Sequence, residues 1–486
     1  MTTPDRAGNS SAAAVTRGGV LLLGCLAMGA TGARAQSLGP CDDPGLAQRA
    51  ECGTVTVWEN RAAGSGRRIG IYFAVLRAEH PGAREPLFMF AGGPGAGSTS
   101  LGDQANGPLA PVRDTRDIVL VDQRGTGRSN PLTCPTDLQA HPELAFGHVF
   151  DPALFRKCRV ELEQRADLRL YTTALAAQDV DDVREALGYP RVIVVGGSYG
   201  TRLAQAYMRA YPARVALALL DGVVPFDYRA PADYAAAAQQ SLDRLLADCK
   251  AAPVCASANP NAGAAFERLV ARLRSGSVTA TIRKGDGTSA TVPFSLGDFS
   301  YAVRGMLYST ENSRFLPAMF RRADSTGNLS PFAQRYWQRA VAFSSFATGL
   351  HFSIYCAEDT RFIGDAEAGT LGAGTFTGRY LVDEYRTVCA EWAVAPLSPH
   401  ARDPVTAPIP TLLFSGWFDP VTRPSMADRV AAHLPRRVQV LVRNEAHGSG
   451  FGCALPATLY VLIQGKLEGI PRVCEGITNL WGRQAP

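Results

Sequence analysis

The chain has 486 residues, 46% of them apolar, and a formal net charge of +5. That length and apolar share support a large buried core and exclude a disordered or fibrous chain. Charged residues of both signs are nearly balanced, and no basic run or basic patch interleaved with aromatics occurs, which argues against a nucleic-acid partner.

Residues 1–35 read as an export signal. Arg6 and Arg17 supply charge, residues 18–32 are mostly apolar, and Ala33-Arg34-Ala35 places small residues before a cut at Gln36. The apolar run is too short to span a bilayer, and no later stretch approaches the roughly 20 residues required. Leu22-Leu23-Gly24-Cys25 partly imitates a lipoprotein cleavage box, a second reading because Leu23 fits it poorly. The expected location is periplasmic or secreted. Of the eleven cysteines, Cys25 leaves with the signal. An even number in an exported chain points to disulfides, and the spacing predicts Cys41 with Cys52, Cys134 with Cys158, Cys249 with Cys255, Cys356 with Cys389, and Cys453 with Cys474. No Cys-x-x-Cys pair and no histidine pair at i, i+4 occurs, so no metal site is expected.

From residue 36 to 224 the pattern alternates strands and helices. Strands are predicted at 53–58, 68–76, 87–90, 118–121, 191–197 and 215–221, and helices at 174–187 and 201–211. That order predicts an α/β fold, a mostly parallel sheet with helices on both faces. Residues 225–402 change character, with helical segments at 234–250, 264–273 and 331–347. One hairpin turn, Lys284-Gly285-Asp286-Gly287, stands between strands 278–282 and 289–294. This region reads as an inserted cap. The sheet pattern resumes over 403–486, with strands at 410–415 and 438–442 and helices at 425–433 and 457–467.

The strand at 191–197 runs into Gly196-Gly197-Ser198-Tyr199-Gly200. A serine on a tight strand-to-helix turn needs unusual backbone angles and small neighbours, so Ser198 is the expected nucleophile. Near neutral pH a serine hydroxyl requires a base to take its proton and an acid to orient that base. Asp419 follows the strand at 410–415, and His447 follows the strand at 438–442. Both are placed at the carboxyl edge of the sheet, in the order Ser, Asp, His. Asp428 is the backup acid, less well placed because it falls inside the next helix. His80, His141, His148, His351, His400 and His433 are read as surface or packing residues. After the strand at 87–90, the glycines of Phe90-Ala91-Gly92-Gly93-Pro94-Gly95 expose backbone N–H groups. The amides of Gly93 and Tyr199 are the expected oxyanion donors. A phosphate loop is the rival for that segment, but it lacks Gly-Lys-Ser/Thr. Asp122 and Arg124, in the loop 121–129, are given a structural role.

These residues resemble the prolyl iminopeptidase and tripeptidyl aminopeptidase group of the α/β-hydrolases, its secreted bacterial members especially. The likeness rests on Ala91-Gly92-Gly93-Pro94-Gly95, the segment Asp122 to Ser129, Gly196 to Gly200 and Gly416-Trp417-Phe418-Asp419-Pro420. Glu51-Cys52-Gly53-Thr54-Val55-Thr56-Val57 resembles the entry strand of the secreted members. It covers roughly residues 50–225 and 405–475. The group often carries histidine where this chain has Ala91. The resemblance implies cleavage at free peptide N-termini without a cofactor, on a peptide or small ester substrate. It also implies cap carboxylates that meet the substrate ammonium, with Glu358, ahead of Asp359, in Cys356-Ala357-Glu358-Asp359 as candidates. A carboxylesterase or lipase with the same triad stays open, as does an inactive binding protein of the same fold.

Overall fold

In this computed structural model the described residues are 38–474, apart from 44, 47–49, 83, 135, 149 and 395, together with 480 and 481. The export signal predicted over 1–35 lies outside them. The strands in chain order are β1 (Gly39–Pro40), β2 (Ala50–Trp58), β3 (Arg68–Leu76), β4 (Leu87–Phe90), β5 (Ile118–Val121), β6 (Val192–Gly197), β7 (Val215–Asp221), β8 (Val278–Arg283), β9 (Ser289–Phe294), β10 (Thr411–Gly416) and β11 (Arg437–Val442). Nine of them form one sheet in the order β1-β2-β3-β5-β4-β6-β7-β10-β11, and β8 pairs with β9 in a separate hairpin. The pairs from β1 to β5 are antiparallel, and those from β5 through β4, β6, β7 and β10 to β11 are parallel.

Strands covered on both faces have no polar side to alternate with, which is why β4 and β5 read as unbroken apolar runs, and β4, β5 and β10 are buried throughout. Successive residues still feed opposite cores. Val119, Val121, Val194 and Leu220 pack with Ala176, Val180 and Leu203 on one face, whereas Leu120, Ile193, Leu217 and Leu412 pack with Ala457 and Val461 on the other. The helices over the first face are α1 (Thr173–Ala186) and α2 (Tyr199–Ala210). The chain reverses direction across the sheet at β4 and β6. Their carboxyl ends therefore open a crevice, and Phe90 is paired with Gly196 there.

Between β7 and β10 the described elements are the β8–β9 hairpin and helices, among them α3 (Ala232–Ala251), α4 (Leu296–Leu307), α5 (Ser330–Ser344) and α6 (Thr348–Glu358). The hairpin turn falls at Lys284 to Gly287 as expected, closed by Gly287 N–H to the Lys284 carbonyl at 3.0 Å. The helix predicted over 331–347 ends at Ser344, and α6 starts separately. Residues Thr348 to Ala357 of α6 are all buried, so the sequence shows no amphipathic period there. After β10 come α7 (Pro424–Ala431) and α8 (Leu455–Gln464). The latter stops before the expected 467 because Gly465 takes a left-handed conformation at φ +69°. All five predicted disulfides are formed.

Candidate active site

Ser198 stands between β6 and α2 with φ 54° and ψ −126°, a conformation an ordinary residue holds only under constraint. The constraint is packing. A Cβ on Gly200 would run into the Phe90 carbonyl, so the helix approaches β4 closely only because that position is glycine. The Ser198 N–H donates to the Asp221 carbonyl at 2.9 Å, fixing the turn to the end of β7. Ser198 itself is only partly buried.

Asp419 and His447 meet at the same edge, with His447 Nδ1 2.8 Å from Asp419 Oδ2. The aspartate is held from behind. Its Oδ1 accepts the N–H groups of Val421 and Thr422 at 2.8 Å each, and its Oδ2 accepts the Thr422 hydroxyl at 2.7 Å. Burial works against the Asp419 charge, but His447 and the Thr422 donors outweigh it and keep the carboxyl below its usual range. Burial likewise disfavours a charged His447, yet the Asp419 carboxylate and its hydrogen bond push the imidazole up to about 9. With Nδ1–H donated to the carboxylate, Nε2 is left free to accept a proton. The ring lies next to Gly222, where an added Cβ would sit 3.1 Å from His447 Cε1. Ser198 is anchored to Asp221, the preceding residue. The backup acid Asp428 is elsewhere, on α7, accepting from Gln439 Nε2 at 2.6 Å.

The glycine loop after β4 faces the serine, since a Cβ on Gly92 would lie 3.0 Å from Ser198 Cβ. Gly93 has φ +114°, a region open to glycine. The segment between β7 and β10 pins this loop: the Tyr355 hydroxyl donates to the Gly93 carbonyl at 3.2 Å, and Ala347 N–H donates to the Gly95 carbonyl at 3.0 Å. His351, read from sequence as a surface or packing residue, contributes a third tie. Burial pushes it down to about 4, so it is neutral, with Nδ1–H donating to the Pro94 carbonyl at 3.0 Å and Nε2 accepting the Tyr385 hydroxyl at 2.7 Å. Tyr199 opens α2 directly after the serine, its ring buried and its hydroxyl bonded to Thr173 Oγ1 at 2.8 Å and Gln123 Nε2 at 3.1 Å.

The two candidate acids of the insertion part company. Asp359 is wholly buried and gives both oxygens to Arg202, at 2.8 Å each. Glu358 accepts Thr173 N–H at 2.8 Å and the Thr173 hydroxyl at 2.7 Å, one link from Tyr199. It also lines a cavity of about 690 Å³ with Arg202, Phe226 and Arg402, and none of Ser198, Asp419, His447 or Gly93 borders that cavity.

Asp122 and Arg124 hold loops. Asp122 accepts from Thr99 and Arg128, and Arg124 forms a buried two-pronged pair with Asp179 at 2.6 and 2.8 Å. Asp221 has no signature in the sequence, because an acid closing a buried strand reads as a turn. Its carboxylate accepts Ser449 N–H, Ser449 Oγ and Gly450 N–H at 3.1, 3.0 and 2.9 Å.

The family described as the alpha/beta hydrolase fold matches residues 85–449, spanning the glycine loop, the serine turn and the Asp419–His447 pair. The chain belongs to the alpha/beta hydrolase fold family. Among curated hydrolases, it is 31% identical over 138 residues to the proline iminopeptidase of Neisseria gonorrhoeae, covering 28% of this chain and 32% of that protein. It is 28% identical over 342 residues to the serine protease Hip1 of Mycobacterium bovis, covering 64% of this chain and 65% of that protein. It is 30% identical over 199 residues to the tripeptidyl aminopeptidase of Streptomyces lividans, covering 37% of each. The matched region is thus less than two thirds of each relative's length. No single described helix is long and apolar enough to cross a membrane.

Proposed function

We propose that this hydrolase is an exported serine aminopeptidase, releasing a residue or short peptide from free peptide N-termini. The observation that carries the chemistry is the 2.8 Å contact of His447 with the buried Asp419 beside the constrained Ser198 turn. In this reading Ser198 attacks the scissile carbonyl while His447 Nε2 takes its proton and Asp419 steadies the imidazolium. The Gly93 and Tyr199 N–H groups hold the oxyanion. His447 then protonates the leaving amine and later activates the water that frees the acyl group. The aminopeptidase assignment is supported by the relatives named proline iminopeptidase and tripeptidyl aminopeptidase. The five disulfides support export.

Residues 225–402 are proposed to act as a cap that selects substrate. Glu358 is the acid proposed to meet the ammonium. It is partly exposed and lies 3.7 Å from Arg202, whereas Asp359 is fully buried in a two-pronged pair with the same guanidinium. Hydrolysis of Pro-, Ala- and Ala-Ala-Pro-arylamides, their N-acetylated forms and a short aryl ester tests the assignment. Cleavage confined to free amines supports it, and the productive length gives the type. Ester cleavage indifferent to acetylation overturns it in favour of an esterase.

A further inference from the structure

Between β7 and β10, next to the Tyr308 that touches His447, lies a buried positive charge with no acid in ion-pair distance among the described residues. Arg304, on α4, is 4% exposed. Its guanidinium lies over the rings of Tyr234 at 4.2 Å and Tyr308 at 5.4 Å. Among the described residues it makes a single hydrogen bond, from Nη2 to the Tyr308 hydroxyl at 2.9 Å, and its Nε is buried without a partner. The titratable groups that act on it most are Tyr308, Tyr234, Tyr301 and Tyr228, with no carboxylate among them. Arg339, on α5, is only partly buried but stacks on the same tyrosine, Tyr308. It lies 4.3 Å from the Tyr308 ring and 5.4 Å from Tyr301, and its Nε is also buried without a partner.

Tyr308 links both cations to the reacting centre. Its ring meets the His447 imidazole edge-on with centroids 5.2 Å apart, and its carbonyl accepts His447 N–H at 3.2 Å. Two other buried guanidinium groups are paired with acids, Arg124 with Asp179 and Arg202 with Asp359. Burying a guanidinium is costly unless an anion completes it, and aromatic faces offset only part of that cost. The planar fork with free N–H groups is shaped for a carboxylate.

We propose that Arg304 and Arg339 form a carboxylate-binding subsite over His447, taking the C-terminal carboxylate of a short leaving peptide. The proposal rests on the reading of His447 as the group that protonates the leaving amine, which puts the leaving fragment on its side of the site. The enzyme is then matched to short unblocked peptides, held by the carboxylate of the fragment that departs.

The test compares kcat/KM for Pro-Ala and Ala-Ala-Pro-Ala as free acids and as C-terminal amides, in the wild type, Arg304→Gln, Arg304→Lys and Arg339→Gln. Acetate esters of 3-hydroxybenzoate and of phenol form a second acid and neutral pair. The wild type is expected to favour free acids by about tenfold or more, falling to about twofold or less in Arg304→Gln and to an intermediate value in Arg304→Lys. A wild-type ratio near one, or a ratio unmoved by Arg304→Gln, overturns the subsite. A preference that follows an acidic residue in the released N-terminal fragment and ignores the C-terminus overturns its assignment to the leaving side. If esters alone are hydrolysed, the aminopeptidase reading fails, and the ester pair then decides whether the carboxylate site exists. Should Arg304→Gln not fold, the wild-type ratio and Arg339→Gln decide the same question.

Discussion

Asp221 ties Ser198 to the histidine loop: its carbonyl accepts the Ser198 N–H at 2.9 Å, while its carboxylate takes the N–H groups of Ser449 and Gly450 just beyond His447. Two loops from opposite parts of the chain are thus registered on the last residue of β7. Asp221→Ala leaves these buried donors unmet and is expected to cost about 2–4 kcal/mol. Because the residue acts through position, kcat should fall more than KM rises. Denaturant unfolding and steady-state kinetics check both, and an unchanged midpoint with full kcat contradicts the role.

The pH profile follows from the Asp419–His447 pair. With His447 raised to about 9, chiefly by Asp419 working against burial, the neutral base is scarce below that pH. The expected kcat/KM rises with pH, with its midpoint displaced from the usual 6.5 toward 9. Tyr308 and Asp221 also favour the charged ring, so Asp419→Asn should return the midpoint only part of the way while cutting turnover. The raised value also means that this pair contributes stability below about pH 6.5, which is lost as pH rises through 9. A midpoint at or below 6.5 in the wild type contradicts the coupling.

Much of this site could be read from the sequence because its parts end apolar strands. Ser198 and Asp419 follow β6 and β10, whose buried runs are plain, His447 follows β11, an edge strand rich in valine, and the order of acid and base is fixed by the chain. The insertion was less legible. Helix α6 is buried on all sides and carries no period, so neither His351, bonded to Pro94, nor Tyr355, bonded to Gly93, had a signal. The sequence ranks Glu358 ahead of Asp359 but shows no partner for either. Both lie against Arg202, and what distinguishes them is the two-pronged, fully buried pair of Asp359, 157 positions from Arg202, against the Thr173 bonds of Glu358.

That separation is testable. Asp359→Ala takes away the two-pronged partner of Arg202, leaving Glu358 at 3.7 Å, and is expected to destabilise the fold by about 3 kcal/mol. Glu358→Gln should instead weaken free-amine substrates by about tenfold or more while sparing a neutral ester. Thermal melts and the two substrate classes read the difference. Equal losses on amine and ester substrates contradict the role proposed for Glu358.

The Cys356–Cys389 disulfide closes 33 residues and ties α6 to the helix Tyr380–Cys389, which carries the Tyr385 partner of His351. Replacing both cysteines by alanine is expected to cost about 2–5 kcal/mol. Because the glycine loop is pinned by α6, turnover should decline before global unfolding in a thermal series. Coincident loss of activity and fold contradicts that coupling.

The most direct measurement is kcat/KM of Ser198→Ala beside the wild type on the best arylamide or ester, with a thermal melt of each. A loss of about a thousandfold or more with an unaltered melt is the predicted result. Activity retained within about tenfold contradicts Ser198 as the nucleophile.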